Sequence, residues 1–348
     1  MIRTRFPLLD GIRGIAALFV VVFHAPQLMH FSFYRSYLAV DLFFMLSGFV
    51  IAHAYDHKIY GSLKGIGKFM GVRLLRLYPV FFLSVIISGV CGVITRDSGG
   101  SFMDIAKVSL LSLFFIPGHL PANHFLFSLN VPYWSLLYEL VVNFFYALGR
   151  SILNNRLLFL LILVASAALI VCAAKYRYMN LGSSWGTENF RTGLSRSTFG
   201  FFAGLFLYRN RTMLSQRFKW PSALVLSVVV LILASPSAGR FDPLLDLFAI
   251  MVAFPACVLA GAQASEGRGE KVLAVLGSAS YPLYVLHYPL VQLTQHFVNV
   301  EQTGLGTAAV FLIVVTAMSV VVERGFDIPF RRWVLKNRLP VVAKSRVA

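Results

Sequence analysis

The stretch Leu157–Ala174, LLFLLILVASAALIVCAA, decides the fold of this chain. It contains no charged residue and is apolar on every helical face, which is typical of a helix that crosses a bilayer. A soluble helix of this length would instead be amphipathic. The stretch Leu305–Val322, LGTAAVFLIVVTAMSVVV, has the same character. These two stretches predict an integral membrane protein.

The composition extends this prediction to the whole chain. Of the 348 residues, 58% are hydrophobic and only 13% are charged, with a mean hydropathy of +0.75. We therefore predict an all-α, polytopic bundle of about ten transmembrane helices, forming one membrane domain over residues 1–338 with a short cytoplasmic tail at 339–348. The predicted spans are 12–29, 38–53, 78–95, 132–149, 157–174, 197–208, 221–235, 244–262, 279–298 and 305–322.

The distribution of charge predicts the topology. The formal net charge is +17, but the basic residues lie between the apolar stretches and not in one soluble domain, which argues against a nucleic-acid partner. The apolar run Ile105–Ile116 is too short to cross, so we expect a re-entrant or interfacial helix there. This topology places 23 of the 31 Lys and Arg residues, and both termini, on the cytoplasmic side. We expect an uncleaved first span, since Asp10 and Arg13 interrupt the pattern of a signal peptide.

The three cysteines lie in apolar segments, and the scattered set predicts neither a disulfide framework nor a metal site.

Two ionisable residues lie within the first predicted span, Ile12–Met29 (IRGIAALFVVVFHAPQLM). Arg13 and His24 are eleven residues apart, so a helix separates them by about 16 Å. We expect Arg13 at the cytoplasmic edge of the membrane and His24 near its middle. Burying an ionisable group at that depth is costly unless it is paired or faces water, which favours a functional site. The alternative is a lone histidine that is hydrogen-bonded to a neighbouring helix.

Three further ionisable residues interrupt predicted spans. Glu139 should lie at a depth close to that of His24, where its carboxylate could orient the imidazole of a general base. We therefore expect His24 and Glu139 to touch, although a buried structural pair is the alternative for Glu139. Asp41 is equally consistent with a helix cap. His287 fits either a site residue or a hydrogen-bonded helix contact.

The predicted inner loop Ala54–Leu77 is basic and glycine-rich, and it could hold an anionic cofactor. The Walker A spacing is missing, and topology alone also demands basic inner loops. The basic residues of this loop are Lys58, Lys64, Lys68, Arg73 and Arg76.

Several stretches, in this order, resemble the membrane acyltransferase family often called acyltransferase 3. Arg13 and His24 match the arginine and histidine motif of that family, and Asp41–Phe49 (DLFFMLSGF) resembles its Asp-Leu-Phe-Phe-x-Leu-Ser-Gly-Phe element. The other matches are Arg73 and Arg76 with Pro79, Trp134-Ser135-Leu136 with Glu139, a looser one at Arg196, and Ser280-Tyr281 with His287. The C-terminal Asp327-Ile-Pro329-Phe-Arg331 departs from the usual pattern, in which the first residue is glutamate.

The resemblance implies O-acyl transfer, usually acetyl transfer, from a cytoplasmic acyl-CoA to a hydroxyl of an exported glycan or lipid-linked saccharide, in a bacterial inner membrane. No permanently bound cofactor or metal is implied, because acyl-CoA is a co-substrate. We predict that the catalytic residues are His24, Glu139 and Asp41. The predicted acyl-CoA-binding residues are Arg13, Arg73, Arg76 and Lys68. The predicted acceptor-binding residues are Trp134, Ser135, Tyr281 and His287.

A proton-coupled transporter is the main alternative, because intramembrane His and Glu also occur in such carriers. The sequence shows no matching Gly/Pro-broken segments in its two halves, which argues against it. A purely structural subunit would have no need of titratable groups in lipid. The acceptor, the acyl chain length, the oligomeric state and the choice between direct transfer and an acyl-histidine intermediate stay open at this level.

Overall fold

A computed structural model describes residues 6–57, 62–96, 99–215, 220–264, 269–299 and 303–338, and these residues form helices and no strand. The predicted tail 339–348 and Lys58 lie outside the described residues. The first seven main helices are α1 (Pro7–His24), α2 (Ala39–Tyr55), α3 (Leu63–Thr95), α4 (Phe102–Leu113), α5 (Tyr133–Gly149), α6 (Asn155–Tyr176) and α7 (Thr187–Ser215). The remaining six are α8 (Ser222–Ala234), α9 (Asp242–Phe248), α10 (Phe254–Gln263), α11 (Glu270–Phe297), α12 (Leu305–Val322) and α13 (Ile328–Arg338).

Six helical segments of the described chain are long and apolar enough to cross a membrane. They are Pro7–His24, Tyr34–Tyr55, Leu63–Thr95, Asn155–Tyr176, Gly239–Gln263 and Leu305–Asn337. The other four predicted spans fall on α5, α7, α8 and α11, which are shorter or more polar. A multi-pass helical membrane protein is therefore confirmed, and the count of ten stays a prediction.

Helix boundaries differ from the prediction at three places that matter for the site. Helix α1 ends at His24, because Pro26 begins a separate turn, so His24 lies at a helix end. Helix α3 begins at Leu63, where Ser62 caps it by accepting from the Gly65 amide, so most of the predicted inner loop is helical. Helix α7 is far longer than the predicted span 197–208.

Helix α4 corresponds to the run predicted not to cross. Its 12 residues extend about 18 Å, well short of the roughly 30 Å of a hydrocarbon core. A capping box between Ser101 and Asp104 begins it, and it packs on α3, where Gly89 and Gly92 allow close contact. The length agrees with an interfacial or re-entrant helix.

Helices α1 and α11 pack side by side in the same direction. Near their beginnings, Gly14 and Gly277 bring the backbones together, since a Cβ at Gly277 would lie 2.5 Å from Cβ of Asp10. At the far end, His24 contacts His287. The two helices are therefore parallel and are in contact from Gly277 beside Asp10 to His287 beside His24.

Helices α2 and α7 form a second close pair. A Cβ at Gly204 would lie 2.0 Å from the carbonyl oxygen of Met45, and one at Gly48 would lie 1.9 Å from that of Phe201. Because these neighbours are backbone atoms, they cannot rotate away, so only glycine fits.

We expect Gly204→Ala to lower the free energy of unfolding by about 1–3 kcal/mol, because α2 and α7 must separate to admit the methyl group. Gly71→Ala on α3 is the matched control, since nothing lies within 4 Å of a Cβ there. Thermal unfolding of the purified proteins in detergent measures the difference. Equal transition temperatures for the two variants would contradict this account of the packing.

Candidate active site

A cavity of about 150 Å³ lies between helices α1, α2, α3, α5 and α11. Its charged and polar lining residues are Arg13, Ser47, Arg73, Arg76, Ser135, Glu139, Ser280, Tyr281 and Tyr284. Three arginines therefore face one carboxylate. Guanidinium groups suit an anionic ligand, since they donate several hydrogen bonds to it.

Arg73 and Glu139 form the central ion pair of the cavity. Nη2 of Arg73 lies 2.5 Å from Oε1 of Glu139, and the hydroxyl of Ser47 donates to the same oxygen at 2.6 Å. Both charged side chains are largely buried, with exposed fractions of 13% and 17%. Nε of Arg73 is buried and has no hydrogen-bond partner within the described part of the chain. One donor of this arginine is thus unsatisfied among the described residues.

Arg76 and Arg13 lie further from their carboxylate partners than Arg73 does from Glu139. Nη1 of Arg76 lies 3.4 Å from Oδ2 of Asp327, and its guanidinium lies over the Tyr281 ring. Arg13 reaches Asp10 at 3.4 Å, one turn away on α1. A separation of 3.4 Å is long for a charge-assisted hydrogen bond, so both guanidinium groups can still donate shorter hydrogen bonds to an anionic ligand.

Asp327, which replaces the glutamate of the family pattern, is fully buried and holds helix α13 in place. It pairs with Arg331 at 2.7 Å and with Arg76 at 3.4 Å. Glu323 also approaches Arg331, at 3.4 Å. The shorter carboxylate thus still links α13 to the cavity.

Hydroxyl groups on α5 and α11 also line the cavity. The Ser135 and Tyr284 hydroxyls lie 2.6 Å apart, and the Tyr284 hydroxyl also donates to the carbonyl of Pro132. Tyr281 donates to the carbonyl of Leu77 at 2.6 Å. The Tyr284 ring lies 5.4 Å from the Phe43 ring and 6.1 Å from the His287 ring. Tyr284 therefore lines the cavity and also lies next to His287.

His24 and His287 are in direct contact. Nδ1 of His24 lies 3.1 Å from Nε2 of His287, and Nδ1 of each ring lies 3.0 Å from the backbone carbonyl four residues earlier in its own helix. His287 is fully buried, whereas His24 is half-buried and its ring lies 5.4 Å from that of Tyr288. His24 is therefore the more accessible imidazole.

The expected contact between His24 and Glu139 is wrong. Glu139 lies with Arg13 in the cavity lining, and Arg13 is eleven residues, or about 16 Å, from His24 on α1. The error in depth arose because α1 ends five residues earlier than predicted. The Glu139 carboxylate instead pairs with Arg73, and His287 lies beside His24 where Glu139 was expected.

Asp41 does not line the cavity, contrary to the expected catalytic role. Its carboxylate is fully buried and binds Arg196 through both oxygens, at 3.0 and 2.6 Å. Arg196 also donates to the carbonyls of Tyr37 and Leu181. Both oxygens are therefore used in joining α2 to α7, and the geometry assigns Asp41 a structural role.

Two other predicted site residues lie away from the cavity. Trp134 is buried with its ring 5.5 Å from the guanidinium of Arg196, so it packs in the interior. Lys68 is exposed and lies about 140° around α3 from Arg73, because the segment is a helix and not a loop. Ser47 and Tyr284 were missed, although each interrupts an apolar run in a stretch that carries the family resemblance.

A separate cluster joins the helix ends on the side where α2 ends. Asp56 accepts from Arg209 at 2.8 and 2.9 Å and from the Tyr146 hydroxyl at 3.0 Å, and Arg150 also lies 2.9 Å from it. Burial raises the pKa of Asp56, but hydrogen bonding and charge from Arg209 and Arg150 outweigh burial and lower it overall. This cluster ties together α2, α5 and α7.

Comparisons with known proteins agree with the motifs. Residues 6–324 match the family described as acyltransferase domain. Protein 2 in the picA locus of Rhizobium radiobacter is 40% identical over 49% of this chain and 96% of its own length. Acyltransferase MdmB of Streptomyces mycarofaciens is 26% identical over 83% of this chain and 79% of its own. A protein of Komagataeibacter xylinus named as a membrane-bound transacylase, BcsY, is 26% identical over 98% and 86%. No solved structure matches the chain.

Proposed function

Because the chain belongs to the acyltransferase domain family and is an enzyme of acyl transfer, we propose that it moves an acyl group from cytoplasmic acyl-CoA to a glycan hydroxyl. The acyl group is acetyl in this proposal, and the acceptor is a cell-surface or lipid-linked saccharide. The transporter and structural-subunit alternatives are set aside, because the family is one of enzymes.

The observation that carries the proposal is the alignment of the cavity with the histidine pair along α1 and α11. Arg13 and Tyr281 lie at the cavity, and His24 and His287 lie further along the same two helices. CoA has anionic phosphates at one end and a thioester at the tip of a long, thin pantetheine arm. The arginine-lined cavity suits the phosphate end of acyl-CoA, and the histidine pair, further along the same helices, suits its thioester end.

Arginines are suited to the phosphate end, since a guanidinium binds phosphate oxygens bidentately. Arg13 and Arg76 make only long contacts with their carboxylates, and the buried Nε of Arg73 lacks a partner among the described residues. The cavity of about 150 Å³ suits the arm and not the bulky nucleotide, so we place the phosphates at its mouth.

His24 supplies the chemistry in this proposal. Its imidazole takes the proton from the acceptor hydroxyl as the oxygen attacks the thioester carbonyl. The carbon–sulfur bond then breaks, and the CoA thiolate leaves with the proton from the imidazolium. Atoms and charge balance, and His24 returns to its neutral form.

The orientation follows from charge. Arg150, Arg209 and the basic part of α3 lie on the side where α2 ends and α3 begins, and basic residues favour the cytoplasmic side. In this proposal both termini and the donor entrance are cytoplasmic, in the inner membrane of a bacterium, and His24 lies toward the outer side, where an exported glycan is available.

Mass spectrometry of surface glycans from cells with and without the intact gene tests the proposed function. We expect a glycan fragment in the producing cells that carries one added acyl group and is absent from the deletion strain. Cells that carry His24→Ala should match the deletion strain. Identical glycans in all strains would contradict the proposal.

Arg76→Lys tests donor binding. Lysine keeps the charge but loses the planar fork, so one charge-assisted hydrogen bond worth about 1.5–3 kcal/mol is weakened and acyl-CoA affinity should fall about tenfold. Lys68→Gln is the control, because Lys68 is exposed on the same helix and lies outside the cavity. Calorimetry with acetyl-CoA measures both. Equal affinities for Arg76→Lys and wild type would remove Arg76 from the donor site.

A further inference from the structure

We infer that His287 is a positioning residue: its Nε2 accepts the Nδ1 hydrogen of His24 and, together with the Val20 carbonyl, favours the tautomer whose Nε2 carries the free lone pair. The inference rests on the proposed function and deepens it, since it names the atom that receives the acceptor proton. It follows from three hydrogen bonds around the two rings. In the three contacts, Nδ1 of His24 faces Val20 O and Nε2 of His287, and Nδ1 of His287 faces Leu283 O.

The two backbone carbonyls fix the proton positions, because a carbonyl oxygen only accepts hydrogen bonds. Nδ1 of His287, at 3.0 Å from the Leu283 carbonyl, must therefore carry a hydrogen. In the neutral ring its Nε2 is then an acceptor. Nδ1 of His24 likewise lies 3.0 Å from the Val20 carbonyl and must be a donor.

The contact of 3.1 Å between the rings is then a hydrogen bond from His24 to His287. The Nδ1 hydrogen of His24 is shared between the Val20 carbonyl and Nε2 of His287. The neutral ring of His24 consequently has its lone pair on Nε2, which has no hydrogen-bond partner in the described ranges of the chain. This nitrogen is the one that can take a proton from the acceptor.

His287 also stabilises the state that follows proton transfer. When Nε2 of His24 gains a proton, the ring becomes an imidazolium and its Nδ1–H becomes a stronger donor to His287. Nε2 of His287 thus fills the part that a carboxylate fills in many catalytic histidine pairs. A second neutral imidazole has one advantage at this depth, because it adds no charge to the ground state in the membrane.

Two amide substitutions separate the hydrogen bonds of His287. The amide of glutamine reaches the position of Nε2, so His287→Gln offers an oxygen that accepts from His24. The amide of asparagine reaches only the position of Nδ1, so His287→Asn keeps the bond to Leu283 O but loses the one to His24. Both are polar and smaller than histidine, so the buried site accommodates each.

The kinetic test uses membrane vesicles from the producing strain, which contain the native acceptor, with acetyl-CoA as the probe. We expect His287→Asn to lower kcat by about 10- to 100-fold with KM for acetyl-CoA unchanged, and His287→Gln to stay within about threefold of wild type. His296→Gln, at an exposed position nine residues along α11, is the control and should have no effect. Equal kcat values for the Asn and Gln variants would overturn the inference.

A measurement that needs no turnover separates this inference from the proposed function. In protein labelled with 15N-histidine, the His24 resonances, identified by their loss in His24→Asn, should show a protonated Nδ1 and an unprotonated Nε2. In His287→Asn the ring should keep the same tautomer, because the Val20 carbonyl still accepts from Nδ1, but the Nδ1 proton resonance should shift upfield because the hydrogen bond to His287 is lost. A protonated Nε2 in the wild-type ring would overturn the inference even if acyl transfer is observed. Absent transfer with the expected spectrum would contradict only the proposed function.

Discussion

His24→Ala is expected to lower acyl transfer by about 10² to 10⁴-fold while leaving acyl-CoA affinity nearly unchanged. The expected loss is that of a general base. Binding should survive because His24 is about 16 Å along α1 from Arg13, which lines the cavity at whose mouth the donor phosphates are proposed to bind. Transfer is measured as thiol release from acetyl-CoA in vesicles that contain the acceptor, and affinity is measured by calorimetry.

His30→Asn is the matched control for this prediction. His30 is exposed, lies six residues after His24 and contacts Thr303 and not the histidine pair. Its backbone has a positive φ of 59°, which asparagine tolerates better than alanine does. The control should retain full transfer. Transfer by purified His24→Ala at close to the wild-type rate would show that the base lies elsewhere.

Arg73→Met is expected to lower the free energy of unfolding by about 3–5 kcal/mol, the largest stability effect that we predict. Among the described residues, the substitution leaves the buried carboxylate of Glu139 with Ser47 as its remaining hydrogen-bond donor, and an uncompensated buried charge is costly. The double variant Arg73→Met, Glu139→Gln removes both charges and should recover most of the loss. Thermal unfolding in detergent measures the single and double variants.

Glu139 should contribute less to catalysis than His24 does. Glu139→Gln should lower transfer less than His24→Ala does, because the amide still accepts from Ser47 and Arg73 although the charge is lost. A double variant as unstable as Arg73→Met alone would contradict a charge-burial origin. In that case the guanidinium would stabilise the fold through its packing and not through Glu139.

Much of the candidate site could be predicted from the sequence because a polar residue in an apolar run needs a physical reason. His24, Glu139 and His287 were identified in this way, and the family resemblance was confirmed over residues 6–324. Their partners were not predictable. Pairing depends on helix ends and rotation. Helix α1 ends at His24, five residues before the predicted end, and His287 lies beside His24 where Glu139 was expected.

The fate of Asp41, Trp134 and Lys68 illustrates a second limit. Each lies in a stretch that resembles the family or in the basic segment next to it, yet the structure buries Asp41 and Trp134 around Arg196 and exposes Lys68 on the outside of α3. A motif contains residues that hold helices together as well as residues that face the cavity. The spacing of a motif therefore does not distinguish residues that hold helices together from residues that face the cavity.

The sequence by itself determined that this chain is a multi-pass helical membrane protein, because bilayer crossing imposes strong local constraints on composition. The acyltransferase family followed from the resemblance of its motifs, and the match over residues 6–324 confirms it. Only the tertiary structure decided which charges neutralise each other. Arg196 joins Asp41, Arg73 joins Glu139, and the two histidines join across α1 and α11. These choices arise from contacts between helices that are far apart in the chain, where glycines such as Gly14 and Gly204 set how closely the backbones approach.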